Sequence, residues 1–88
     1  MAWTIEYDPR VGKDLTKLDW VIQREILEYM DHRIASDEDP RRYGKALLRD
    51  KRGLWRYRVR DYRIVCQIQE SKKVVPVLAV GHRSSVYE

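Results

Sequence analysis

Residues 54–63 read Leu-Trp-Arg-Tyr-Arg-Val-Arg-Asp-Tyr-Arg, and the side chains of a strand alternate between its two faces. Arg56, Arg58 and Arg60 therefore point one way, and Trp55, Tyr57 and Val59 the other. The next run, Tyr62-Arg63-Ile64-Val65-Cys66-Gln67-Ile68, alternates too, with Tyr62, Ile64, Cys66 and Ile68 as its apolar set. A tight hairpin closing at Arg60-Asp61 puts Val59 opposite Tyr62, Tyr57 opposite Ile64 and Arg58 opposite Arg63. The apolar faces agree in that register, and a slip of one residue would turn every side chain to the wrong face. Two arginines directly across from each other destabilise a sheet. An ordered surface that keeps them together implies a polyanion to bind there.

The charge is divided along the chain in the same sense. Residues 1–40 hold five Lys/Arg against ten Asp/Glu, while residues 41–88 hold thirteen against four. The overall +4 thus conceals an acidic first half at −5 and a basic second half at +9. Twelve of the eighteen cations are Arg, the residue that meets phosphate with a planar bidentate fork. A basic half with Trp and Tyr interleaved is a nucleic-acid signature. On that charge pattern Lys45, Lys51, Arg52 and Arg60 are candidate contacts to nucleic acid, RNA or DNA.

At 88 residues the chain is expected to form one domain over residues 1–88, with an economical core. The initiator-like Met1 and the lack of Pro/Gly/Ser-rich linkers suggest a complete short protein. No apolar run approaches the roughly 20 residues that a membrane helix needs, and no secretory signal opens the chain. A cytoplasmic protein without membrane contact is expected. The single Cys66 lies on the apolar side of its strand and is read as packing rather than as a nucleophile. No His/Cys/Asp/Glu cluster has metal-ligand spacing, so metal-free and cofactor-free chemistry is expected.

Trp3, Ile5 and Tyr7 alternate as a short strand. Asp8-Pro9 reads as a helix N-cap with Pro at the first helical position, followed by Val11, Leu15 and Leu18 at helical spacing. Asp19 caps a second, longer helix with Ile22, Ile26, Met30 and Ile34 along one stripe, ended by Ser36 to Pro40. Residues 41–53 read as a basic loop punctuated by Gly44 and Gly53. The hairpin follows, and then a nearly all-apolar strand, Val74 to Val80, in which Pro76 requires an unpaired backbone position or a bulge. Gly81 to Glu88 reads as a polar tail. The expected fold is α+β: a small antiparallel sheet with a helical hairpin on one face, in the order β-α-α-β-β-β. The other face would carry Arg56, Arg58, Arg63 and Arg83.

Leu54 to Ile64, followed by Leu78-Ala-Val-Gly-His-Arg83 and by Val86-Tyr87-Glu88, resembles the RelE branch of the RelE/ParE toxin superfamily. The resemblance covers nearly the whole chain, including the loop Gly44 to Arg49. It implies a microbial-RNase-like fold and the toxin half of a bacterial type II toxin–antitoxin pair. Such a toxin cuts messenger RNA in the ribosomal acceptor site, and a cognate antitoxin, which also brings the complex to operator DNA, neutralises it. Ribosome, messenger RNA and antitoxin are the implied partners. Arg63 matches the strand arginine that holds the scissile phosphate, Arg83 a second active-site arginine, and Tyr87 a C-terminal tyrosine used at the reacting 2′-hydroxyl. Arg49 matches a basic loop residue that contacts RNA. Arg56 and Arg58 stand where well-studied members carry lysine. Arginine essentially never loses its proton, so these two can stabilise charge but cannot act as a general base.

RNA cleavage by its own 2′-hydroxyl needs that hydroxyl deprotonated, the phosphorane charge stabilised and the leaving oxygen protonated. Converging arginines supply the middle requirement, often the largest. Tyr87 could relay a proton if nearby cations lower its pKa from about 10. Histidine has an intrinsic pKa suited to proton transfer, but His82, next to Arg83 in an extended segment, points to the opposite face. His32 falls mid-helix. Trp3, Trp20 and Trp55 lie in apolar patterns and read as core or partner contacts rather than stacking platforms. Two other readings stay open: a ParE-like inhibitor that acts on DNA gyrase by protein–protein contact, and a catalytically silent RNA-binding module.

Overall fold

The computed structural model describes residues 2–47 and 53–82. Strand β1 (Thr4–Tyr7) leads into helices α1 (Pro9–Thr16) and α2 (Trp20–Glu28), and α2 runs on into a π-helical segment, Tyr29–Ile34. Both predicted caps are present: Asp8 accepts the Arg10 N–H and Asp19 the Val21 N–H, each at 2.9 Å. They satisfy N–H groups that a first helical turn leaves over. The stripe Ile22, Ile26, Met30, Ile34 recurs every fourth residue, which drifts about 40° per step around a regular helix. The wider i→i+5 turn from Tyr29 counters that drift, and Met30 and Ile34 end as fully buried as Ile26.

A 3-10 turn, Pro40–Arg42, precedes the strands β2 (Lys45–Ala46), β3 (Trp55–Val59) and β4 (Tyr62–Cys66). A second 3-10 turn, Glu70–Lys72, precedes β5 (Val74–His82). The stretch expected to be loop from residue 41 therefore contains a turn of helix and a short strand. Strand β5 also runs past Val80, so Gly81 and His82 belong to the sheet rather than to a tail.

The five strands lie in the order β1-β5-β4-β3-β2. The β3–β4 hairpin has the register that the alternation predicts, with Val59 opposite Tyr62, Tyr57 opposite Ile64 and Arg58 opposite Arg63. The sheet is mixed rather than wholly antiparallel, because β1 runs parallel to β5. Alternation reports which face a residue takes and says nothing of strand direction. Here α1 continues along the β5 edge that β1 leaves: Asp8 N–H donates to the Val77 carbonyl at 2.9 Å, and the Asp14 carboxylate accepts the Val80 N–H at 3.0 Å. Pro76 fits because it supplies only an acceptor, to Gln67 N–H at 3.0 Å. The expected bulge lies next to it, with Val65 opposite Ala79 but Cys66 opposite Val77.

The helices cover the sheet face of Tyr57, Ile64, Cys66, Val75, Val77 and Val80, packing Val11, Ile26, Met30 and Ile34 against it. Buried polar groups there are paired: Tyr57 donates its hydroxyl to the Pro40 carbonyl at 2.7 Å, and Trp3 its indole N–H to the Glu38 carbonyl at 3.0 Å. On the other face Leu47, Leu54 and Val65 form a second buried cluster with Leu78 and Ala79 against it. No described helix is long and apolar enough to cross a membrane.

Candidate nucleic-acid interface

The sheet face away from the helices gathers the cations. Strand β2 pairs with β3 so that Lys45 stands opposite Arg56, and β3 pairs with β4 so that Arg58 stands opposite Arg63. Direct cross-strand partners share a face, so Lys45, Arg56, Arg58 and Arg63 form one cationic field. Arg56 in turn faces Val65, which anchors the field to the second apolar cluster. Arg63 faces Gly81 on its β5 side. The Nε and Nη1 atoms of Arg63 are shielded from solvent. The acidic Glu6 occupies the far edge strand, opposite Pro76.

Arg58 is exposed and held from the turn: its Nε donates to the Arg60 carbonyl at 2.9 Å, and its Nη2 lies 3.6 Å from the Asp61 carboxylate. Arg60 departs from the simple alternation. It sits in the turn at φ 55, and its guanidinium forks onto both oxygens of Glu25 on α2 at 2.7 Å each. Its side chain is thus directed to the helical side, away from Arg56 and Arg58. Of the other residues singled out in the sequence, Arg49, Lys51, Arg52, Arg83 and Tyr87 lie outside the described residues.

His82 behaves as alternation requires. It pairs with Tyr62 at the end of β5, and their rings meet edge-on with centroids 5.6 Å apart, on the helical side. Burial pushes the Cys66 thiol well above its ordinary range, which makes it a packing group and not a nucleophile. Burial likewise raises the phenols of Tyr7, Tyr29 and Tyr57, so these three keep their protons at neutral pH and cannot serve as bases. Trp3 is buried and Trp55 half-buried, its indole N–H on the Tyr43 carbonyl at 2.7 Å, whereas Trp20 is 65% exposed. A shallow recess of about 600 Å³ opens on the helical side between Glu25, Glu28, Tyr29, His32, Arg33 and Val59.

Sequence reasoning missed the pairing of Lys45 with Arg56 and the burial of Leu47 and Leu54. The available signal was the short run Lys45-Ala46-Leu47 ahead of Gly53-Leu54. Leu47 N–H donates to the Leu54 carbonyl at 3.0 Å and continues the β2–β3 ladder.

Similarity to known toxins runs over nearly the whole chain. Residues 5–87 match the family model described as the ParE toxin of type II toxin–antitoxin system, parDE. Toxin RelG of Mycobacterium tuberculosis is 29% identical over 87 residues, covering 99% of this chain and 98% of that protein. A chain of the toxin–antitoxin complex RelBE2 from the same organism superposes with a TM-score of 0.81 at 26% identity, covering 94% of this chain and all of that one. The isolated RelE toxin of E. coli superposes with a TM-score of 0.69 at 25% identity, over 92% of this chain and 84% of that one.

Proposed function

The chain belongs to the RelE/ParE toxin superfamily of type II toxin–antitoxin systems, on its RelE branch, and on that premise we propose that it cuts messenger RNA in the ribosomal acceptor site. The observation that carries this reading is the register of the strands, which sets Lys45 opposite Arg56 and Arg58 opposite Arg63 on one sheet face. A fold gains nothing from such neighbours; a polyanion bound across them does. In this reading Arg63 and Arg83 hold the scissile phosphate and stabilise its extra charge, with Arg56 and Arg58 in support. Tyr87 moves the proton of the 2′-hydroxyl. Lys45, Arg49, Lys51 and Arg52 bind the RNA backbone around the cut. The ribosome completes the site, and a cognate antitoxin neutralises the toxin, as the complexes formed by RelE relatives suggest.

The family description carries the ParE name, which keeps one other reading in play, inhibition of DNA gyrase through protein contact. A gyrase binder has no need of Arg63, Arg83 and a terminal Tyr87 in one chain. In vitro translation with primer extension on the message separates the possibilities. Cuts at ribosome-stalled positions are expected. Gyrase-dependent DNA breaks without RNA cuts would replace this reading with the other, and RNA binding without cleavage would reduce the protein to a silent binding module.

A further inference from the structure

We propose that Glu25 and Arg60 are positioning residues: their ion pair, on the helical side, presets Arg58 on the cationic face. This inference rests on the functional reading above for its consequence, though not for its geometry.

Arg60 works on both sides of the sheet at once. Its guanidinium meets Glu25 Oε1 and Oε2 at 2.7 Å each, a two-pronged charge-assisted contact that fixes orientation as well as distance. Its main-chain carbonyl accepts the Arg58 Nε–H at 2.9 Å. Between the two lies a backbone at φ 55, a region that a residue with a Cβ rarely occupies without support from its surroundings. The fork onto α2 provides that support. A turn anchored in this way keeps the Arg60 carbonyl aimed at Arg58, and Asp61, 3.6 Å from Arg58 Nη2, adds a second hold. An arginine tied down at Nε, with Nη2 turned toward Asp61, still offers the N–H groups of Nη1 to a phosphate. Ordering it before substrate arrives removes a cost that binding would otherwise bear. The Arg60 guanidinium holds the Glu25 carboxyl below its usual range, so the pair is charged at neutral pH.

The full chain with Glu25→Gln keeps the shape at position 25 and removes the charge. The first readout is nuclear magnetic resonance of the Arg58 Nε–H in the free protein. Its exchange with solvent should quicken by roughly tenfold as the turn loosens, while the thermal melt shows a folded protein. Arg60→Lys, which keeps a cation but loses the fork, should do the same. An Arg58 Nε–H unchanged in both variants overturns the proposal. The second readout is ribosome-dependent cleavage. Glu25→Gln should lower kcat by about tenfold with less change in KM, as expected when a charge-stabilising group is misaligned. It should add little further loss in an Arg58→Gln background. Losses that multiply independently would also overturn it. If the wild-type chain cuts no message at all, the functional reading fails, and the exchange measurement still decides the positioning role.

Discussion

Arg58 and Arg63 are direct partners across the β3–β4 hairpin, and the guanidinium of Arg58 is bent back toward the turn, onto the Arg60 carbonyl and toward Asp61. The bend lessens a like-charge conflict worth a few tenths to about 1 kcal/mol without removing it. Sites kept for function commonly hold such conflicts, and relieving them stabilises the fold while activity falls. Arg58→Gln and Arg63→Gln should each leave the melting temperature equal or higher. Cleavage should fall by orders of magnitude for Arg63→Gln and less for Arg58→Gln. Loss of stability together with activity in both variants would make these arginines structural.

Gly44 lies tight against β3. At φ +74 a Cβ would strike the Arg56 carbonyl and come within 2.7 Å of the Trp55 indole nitrogen and 2.9 Å of Tyr57 Cδ1. Backbone cannot yield as a flexible side chain does, and the positive φ adds strain. Gly44→Ala should cost about 1–3 kcal/mol and pull Lys45 away from Arg56. Chemical denaturation checks the first effect, and the chemical shifts of β2 the second.

Asp14 carries a role out of proportion to its place on a short helix, because it accepts the Val80 N–H that no strand reaches. Asp14→Ala strands that donor at a cost of about 1–3 kcal/mol, and Asp14→Asn, which still offers an oxygen, should recover much of it. Amide exchange at Val80 should quicken in the alanine variant before the rest of β5 responds.

Stability should fall at both ends of the pH scale, for opposite reasons. Hydrogen bonds hold four carboxyls below their usual range: Asp8 by the Arg10 N–H, Glu25 by the Arg60 guanidinium, Asp37 by the Asp39 N–H and Glu70 by the Arg41 guanidinium. Their contribution is complete above the unfolded carboxylate range and is lost as pH drops through the lower folded values. Burial raises the phenols of Tyr7 and Tyr57 from 10.0, so their contribution is complete below that value and is lost as the unfolded chain ionises above it. Tyr57→Phe should cost about 1 kcal/mol at neutral pH through the lost bond to Pro40 and flatten the alkaline decline. Melting curves across the pH range test both limbs.

The hairpin was legible because each of its residues votes for the same register, and both helix caps because Asp8 and Asp19 are local chemistry. The direction of β1 was not legible, since Trp3, Ile5 and Tyr7 alternate identically whether they run parallel or antiparallel to β5. The strand Lys45–Ala46 is too short to show a period, which hid the place of Lys45, one of the four cations of the field. Arg60 continues the alternation in sequence but turns away in space, because the hairpin reverses there and Glu25 waits on α2. That contact joins residues 35 positions apart, beyond the reach of any local pattern.

A neutralising partner should find this protein electrostatically. Ten of the cations fall within residues 41–63, so an antitoxin that covers the field should be acidic where it docks, and a segment that folds on binding can wrap it. Opposite fields speed encounter, and salt screens them as the Debye length shrinks from about 10 Å at 0.1 M to about 3 Å at 1 M. Association followed by stopped flow should therefore slow by about tenfold or more over that range, with dissociation less affected. Replacing Lys45 and Arg58 with Gln should shallow the salt dependence, because each removes a charge from the exposed part of the field. Association rates indifferent to salt would mean that the antitoxin docks through other surfaces.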